Sequence, residues 1–300
     1  MALQAVNLKK VFTSGHGAGR IANVAANDVS ITVAPGDFVA VVGESGSGKS
    51  TAARMMLDLI RPDAGVVTWQ GRELASMSRP EQKTFRSHVQ AVFQDPAGSL
   101  NPRKRIRVIM GEVISFYDVA NTRAGIEKHA CDILALVGLN PPEAFMDRFP
   151  HELSGGQRQR VLIARAMIPT PQVIVADEAV SALDVSIKAG ILRLMEDLRK
   201  VKGVGYLLIS HDLPVVRKVA RYVYVMRSGK IVEEGSTEQI FQNPRAKYTR
   251  NLLDSALDLD TVLAERRDRE SRATALGQSS SPTGLSLKHE VKKTSWDTYT

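Results

Sequence analysis

The sequence has little cysteine and no long apolar run. Its single cysteine among 300 residues, Cys131, excludes a disulfide framework and any zinc or iron–sulfur site built on cysteines, and it fits a reducing compartment. No stretch approaches the roughly eighteen consecutive apolar residues of a membrane-spanning helix, and the start MALQAVNLKKVF lacks the basic, apolar and small-residue regions of a secretory signal. The chain is therefore expected not to enter a membrane by itself. No internal repeat of useful length is found. With 43% hydrophobic and 24% charged residues, neither disorder nor a fibrous repeat fits, and one or two globular domains are expected. The net charge of +8 is open to several readings. Nucleic acid, an anionic lipid surface or a phosphate-bearing ligand would each suit it.

Residues 38–43, FVAVVG, form a valine-rich apolar run ending in glycine, the pattern of a buried strand that delivers the chain to a turn. The next residues, Gly43, Glu44, Ser45, Gly46, Ser47, Gly48, Lys49, Ser50 and Thr51, lead into AARMMLDLI, whose helical spacing predicts a helix stopped by Arg61-Pro62. Two more apolar strands, Val173–Ala176 and Tyr206–Ile209, run into Asp177-Glu178 and Ser210-His211-Asp212. Strands alternating with helices predict a mostly parallel sheet covered on both faces, with ligands at the carboxyl ends of the strands. LQAVNLKKVF, VSITVA and GVVTWQG alternate more and predict an antiparallel sheet beside it. From Gln94 to Leu153 the pattern is helical and reads as an inserted subdomain. Eleven of the last thirty residues are Ser or Thr, so residues 261–300 are expected to form a polar, flexible tail.

The glycine loop matches G-x-x-x-x-G-K-[ST] in full. Its glycines let backbone N–H groups turn around an anion, and the helix N-terminus adds a favourable dipole. Lys49 is placed to reach the β- and γ-phosphates and Ser50 to ligate magnesium, so a nucleoside triphosphate with Mg²⁺ is the expected ligand. Asp177, closing an apolar strand, is the expected second magnesium partner. An isolated aspartate at this place equally caps the following turn. Glu178 is placed to polarise a water toward the γ-phosphate.

Leu153-Ser154-Gly155-Gly156-Gln157-Arg158-Gln159-Arg160, shortly before the acidic strand, resembles the signature of ATP-binding cassette proteins. Physically, Ser154 reads as the N-cap of QRQRVLIARAMI, with two glycines permitting close approach. The remaining motifs of that family follow in order. Gln94 resembles its glutamine loop, Ser181-Ala182-Leu183-Asp184 its D-loop, and His211 its switch histidine. The resemblance covers about residues 3–250 and implies an α/β fold: a P-loop NTPase core with a mostly parallel sheet, an N-terminal antiparallel β subdomain and an inserted helical subdomain at about 95–155. The cassette ATPase domain would span 1–260.

The resemblance also implies a nucleotide held between two subunits placed head to tail. One would supply Gly43, Ser45, Gly46, Ser47, Gly48, Lys49, Ser50 and Thr51, with Gln94, Asp177, Glu178 and His211; the other would supply Ser154, Gly155, Gly156, Gln157 and Asp184. Glu178 would be the general base, His211 would hold the γ-phosphate and water in line, and Ser50, Gln94 and Asp177 would surround the metal. Phe12 lies where the family places an adenine-stacking aromatic; a core position is the alternative.

Residues 93–103, FQDPAGSLNPR, and Asn243-Pro244-Arg245-Ala246-Lys247-Tyr248-Thr249 resemble the subfamily serving oligopeptide, dipeptide and nickel importers. Ala246-Lys247 replaces a usual His-Pro pair, and Ala179 stands where most members have proline, which relaxes a restraint beside Glu178. The implied protein is an ATP-hydrolysing subunit at the cytoplasmic face of the inner membrane. Its partners would be two integral-membrane permease subunits, a second cassette ATPase and, indirectly, an extracytoplasmic solute-binding protein, without nucleic acid. Residues 95–150, including Arg103-Lys104-Arg105, would face the permeases, although a solvated surface serves that charge run equally well. The alternative is a cassette ATPase acting on nucleic acid or ribosomes.

Overall fold

The computed structural model describes residues 2–14, 21–93, 96–181 and 183–255. The chain divides into two units, Met1–Leu253 and Asp254–Thr300, and all elements named below lie in the first. The expected tail at 261–300 lies outside the described residues.

Two sheets build the first unit. One is antiparallel, in the order β2-β1-β4-β5, from β1 (Leu3–Ser14), β2 (Ile21–Val33), β4 (Ala64–Trp69) and β5 (Arg72–Glu73). The other has six strands in the order β10-β9-β3-β8-β7-β6. Its members are β3 (Phe38–Val42), β6 (Val89–Phe93), β7 (Val173–Asp177), β8 (Gly205–Ile209), β9 (Tyr222–Arg227) and β10 (Lys230–Ser236). All neighbours are parallel except the edge pair β9–β10. The antiparallel and mostly parallel sheets of the sequence expectation are both present. Every residue of β3, β7 and β8 is buried, which is why these strands read as unbroken apolar runs. The core between the sheets includes Leu3, Leu8, Ile31, Val41, Met55, Val175 and Ile209.

Register decides where the chemistry collects. Val41 lies opposite Ile209, Ile209 opposite Asp177, and Asp177 opposite Phe93. The residues that follow Val41, Ile209 and Asp177 therefore leave one edge of the sheet together, as the general rule for open α/β sheets requires.

Helix α1 (Lys49–Met56) is shorter than its sequence predicts. It stops before Arg61-Pro62 because Asp58 turns left-handed at φ 56, while Asp58 N–H donates to Met55 O at 3.0 Å and Leu59 N–H to Arg54 O at 2.9 Å. That pair of bonds is a Schellman closure, which satisfies the last carbonyls without glycine. Strands β6, β9 and β10 and helix α2 (Arg79–His88) were not anticipated as elements. β6 is five residues long and only partly buried, too little for a clear period.

Between β6 and β7 lie α3 (Pro96–Ser99), α4 (Ile106–Phe116), α5 (Arg123–Leu136), α6 (Glu143–Met146) and α7 (Gly155–Met167), with no strand among the described residues there. Ile106, Ile109, Met110, Ile114, Ala130 and Leu134 are buried on the facing sides of α4 and α5. Thr122 starts α5 by accepting Gly125 N–H at 3.1 Å. Of the run Arg103-Lys104-Arg105, Lys104 pairs with Glu112, and Arg105 donates to Asp147 O at 2.9 Å while its guanidinium covers the Phe149 ring. Two of these three charges thus serve internal contacts. Helices α8 (Val185–Lys202), α9 (Leu213–Val219) and α10 (Thr237–Gln242) complete the fold, and residues 247–253 are again helical. No helix among the described residues is long and apolar enough to cross a membrane.

Candidate phosphate-binding and hydrolytic site

The loop after β3 turns through three glycines with positive φ: Gly43 at 148°, Gly46 at 78° and Gly48 at 102°. At two of them space as well as φ demands glycine. A Cβ would lie 2.1 Å from Met226 O at Gly43 and 2.0 Å from Ala25 O at Gly48. The backbone therefore packs directly on β2 and on the end of β9, and the loop ends at the first residue of α1.

Lys49 is 5% exposed, and its ammonium donates to Gly43 O at 2.8 Å, Glu44 O at 2.7 Å and Ser47 Oγ at 3.3 Å. Burial pushes its pKa below the ordinary lysine range, against the pull of Glu178, Asp177 and Glu44. Ser50 Oγ donates to Asp177 Oδ1 at 2.9 Å. Burial pushes the Asp177 carboxyl up, opposed first by this hydroxyl and then by Arg54 and Lys49. Buried Lys49 and buried Asp177 thus share one end of the sheet; Glu178, Asp177 and Glu44 act on the lysine charge without hydrogen bonding to it, since its three acceptors are two carbonyls and a hydroxyl. A polyphosphate is the kind of anion such a buried ammonium suits. The adjoining Ser50 and Asp177 oxygens are hard donors of the type magnesium takes, so the residues fit that ion.

Glu178 is the residue after the acidic strand, and it adopts a left-handed φ of 50°. Its N–H donates to Ile209 O at 3.0 Å, and its carbonyl accepts Ser181 N–H at 3.1 Å and Ser181 Oγ at 2.9 Å. These bonds fix the turn where Ala179 gives no proline restraint. The turn presents the carboxylate Oε1 to His211 Nδ1 at 3.1 Å. The His211 side chain is 58% exposed and that of Glu178 22%, so the pair faces outward from the sheet edge. Asp212 starts α9 by accepting Val215 N–H at 3.1 Å and bonds Lys188 at 2.6 Å, which sets the direction of the chain behind His211.

A cavity of about 260 Å³ lies over the loop, lined by Ser45, Gly46, Gly48, Lys49, Ser50, Thr51 and Glu178 together with Phe12, Asn23 and Ala25. Phe12 is 44% exposed, which favours an open face over the core position left as the alternative. Asn23 and Ala25 were not singled out in the sequence. They arrive through the pairing of β2 with β1, where Asn23 lies opposite Phe12.

The signature segment does not line this cavity. Ser154 caps α7, accepting Gln157 N–H at 3.2 Å, while its own N–H donates to Gln157 Oε1 at 3.0 Å. Gly155 and Gly156 pack against Leu183 and Ile187, beside Asp184 at the start of α8. The expected residues therefore fall into two groups: Phe12, the loop, Asp177, Glu178 and His211 in one, and Ser154, Gly155, Gly156, Gln157 and Asp184 in the other. Gln94 and Ala182 lie outside the described residues, although Phe93, beside Gln94, is paired opposite Asp177.

Residues 26–181 match the family described as ABC transporter. The chain is 44% identical to the oligopeptide transport ATP-binding protein AppF of Bacillus subtilis (strain 168), over 84% of this chain and 77% of that one. It is 42% identical to the dipeptide transport ATP-binding protein DppF of Escherichia coli (strain K12), over 93% of this chain and 82% of that one. Among solved structures it resembles a dimeric ATP-binding cassette in a post-hydrolysis state bound to ADP and Pi, with a TM-score of 0.68 and 28% identity, covering 79% of this chain and all but 1% of the other.

Proposed function

This chain belongs to the ABC transporter family, and on that premise we propose that it binds ATP with Mg²⁺ in the cavity over the phosphate loop and hydrolyses it to drive import of oligopeptides or related small solutes. It is an ATPase of the cassette type, a transport ATP-binding subunit, and the reading as a nucleic-acid or ribosome ATPase is not favoured. The carrying observation is the convergence of buried Lys49, the Ser50–Asp177 contact and the Glu178–His211 pair on one sheet edge of a chain that is 44% identical to an oligopeptide transport ATP-binding protein.

The mechanism follows from what each residue faces. Lys49 rests on two carbonyls and a hydroxyl, and a bound triphosphate replaces those neutral acceptors with anionic oxygens, a stronger set for an ammonium. Phe12 stacks on the adenine. Magnesium, when bound, neutralises charge on the phosphates, and Ser50, Asp177 and Gln94 are the residues that would hold it. Glu178 accepts the proton of the attacking water, and His211, in contact with that carboxylate, orients it toward the γ-phosphate.

The separation of the two groups within one chain is the argument for a second subunit. Ser154 and the glycines after it form a helix N-terminus suited to an anion, yet they line no part of the phosphate-loop cavity. Placed head to tail, two chains bring the signature of each against the γ-phosphate of the other. That contact exists with ATP and is lost with ADP, so the nucleotide biases opening and closing.

Two permease subunits span the membrane in this reading, and the chain sits peripherally at their cytoplasmic face. Residues 95–150 make the contact, and an extracytoplasmic binding protein delivers the solute. The test is purification of the tagged chain from membranes, followed by peptide uptake in reconstituted vesicles. Two hydrophobic subunits should copurify and uptake should require ATP; salt-sensitive nucleic-acid binding without a membrane partner would overturn the proposal.

A further inference from the structure

The C-terminal run Asn243-Pro244-Arg245-Ala246-Lys247-Tyr248-Thr249 has no part in the mechanism above, yet it reaches the phosphate loop. We propose that Tyr248 is a positioning residue for that loop, holding the Gly43–Glu44 peptide in the orientation that receives nucleotide. This inference rests on the reading of the loop as the phosphate site.

The Gly43–Glu44 peptide is gripped at both ends. Its carbonyl, Gly43 O, accepts Lys49 Nζ at 2.8 Å, and its N–H, on Glu44, donates to the Tyr248 hydroxyl at 3.2 Å. The flanking Gly43 has φ 148° and leaves no room for a Cβ beside Met226 O. Arg227, the next residue, lays its guanidinium over the Tyr248 ring, 4.8 Å from the centroid. The end of β9 therefore touches both the loop and the residue that holds it.

Tyr248 is itself well seated. It is 8% exposed, and the neighbouring Thr249 is 1% exposed. The Glu233 carboxylate on β10 accepts Arg245 N–H at 2.7 Å and Ala246 N–H at 3.0 Å, tying down the turn that carries the tyrosine. Arg250 donates back to Pro244 O at 3.1 Å and Arg245 O at 3.0 Å. The segment that carries the tyrosine is thus held by packing and by a charged hydrogen-bond acceptor, independently of the loop.

The arrangement matters when Lys49 changes partners. A triphosphate draws the ammonium from Gly43 O, and the peptide then loses the grip on its carbonyl side. With Tyr248 in place the N–H side still fixes it, and the loop keeps its shape with the anion bound. Without the hydroxyl the peptide is free to rotate, and nucleotide binding has to order it. By linkage, nucleotide bound at the loop also steadies the C-terminal segment.

The test uses the full chain and the Tyr248→Phe variant, which removes the hydroxyl and keeps the ring on Arg227. Calorimetric titration with ADP and magnesium should give a Kd about three- to tenfold weaker, the range of one neutral hydrogen bond. KM for ATP should rise in step, with kcat within about twofold. Glu233→Gln should shift Kd in the same direction, and the double variant should be less than additive. Lys49→Ala is the control for the underlying reading. Loss of ADP binding in Lys49→Ala with unchanged Kd in Tyr248→Phe overturns the positioning role alone. ADP binding in Lys49→Ala equal to wild type overturns the phosphate-loop reading and this inference with it. A lower Tm in Tyr248→Phe with unchanged Kd assigns the tyrosine to packing and likewise overturns the proposal.

Discussion

Gly156→Ala separates two demands that fall on one residue. Gly156 lies in the first turn of α7, and a Cβ there would be 2.6 Å from Ile187 Cγ2 on α8. Ordinary contact begins near 3.4 Å, so Ile187 or the start of α8 has to yield by about 0.8 Å, and overpacking of this kind costs about 1–3 kcal/mol. Its φ is not left-handed, so alanine returns about 0.5–1 kcal/mol through helix propensity. A net loss of about 0.5–2 kcal/mol corresponds to a Tm lower by about 1–8 °C in a domain of this size. Calorimetric melting of the full chain reads that shift. Ile187→Leu moves the branch away from Cβ at constant volume and should restore Tm in the double variant. ATPase activity should stay low in that double variant, because the proposed approach of Gly156 to a phosphate across the subunit boundary remains blocked. An unchanged Tm in Gly156→Ala would refute the steric argument. A deficit that Ile187→Leu does not repair would refute its location, and recovery of ATPase together with Tm would refute the intersubunit role.

Three further outcomes are expected. Glu178→Gln should lower kcat about a hundredfold or more while ATP binding is retained, as removal of a general base requires; an unchanged rate in a phosphate-release assay removes Glu178 from that role. Ser181→Ala deletes the 2.9 Å bond to Glu178 O, and kcat should fall about two- to tenfold as the strained turn loosens, with KM for ATP unchanged. Glu196 is held down to about 2 by the hydrogen bonds from Arg199, at 2.7 and 2.8 Å. A depressed carboxylate stabilises the fold above its unfolded value of about 4.3, and the contribution is lost as pH falls through the folded value. With its side chain 30% exposed, the pair is worth about 1 kcal/mol after solvent screening. The Tm deficit of Glu196→Gln against wild type at pH 7 should therefore shrink by about half at pH 3, and a deficit independent of pH would show that the ion pair is not its source.

Much of the site was legible because its demands are local. The glycines of the loop are required by φ and by backbone contact at their own positions, and Lys49 and Ser50 follow by fixed spacing along one helix. The buried strands β3, β7 and β8 betray themselves because both faces are apolar. The helix end at Met56 was not legible, since Asp58 closes it in a left-handed conformation that composition does not mark. Asn23 and Ala25 were missed for another reason. They reach the cavity only through cross-strand pairing, and nothing in their own neighbourhood signals a ligand.

By itself the sequence determined the order of the motifs, and with it the cassette class and a nucleotide as ligand, because each motif is a short run whose residue types answer to one chemistry. Only the tertiary structure decided which of these residues meet. Parallel register set Val41, Ile209 and Asp177 level, so that Lys49, Glu178 and His211 share one edge. The packing of α7 on α8 kept Ser154 and Gly156 away from that edge, which is the ground for proposing that one chain holds two half-sites. The link from Tyr248 to Glu44 spans 204 positions of sequence. Such a contact has no local signature, since the hydrogen-bonding partner of a tyrosine is set by where β9 and β10 carry the chain and not by the residues beside it.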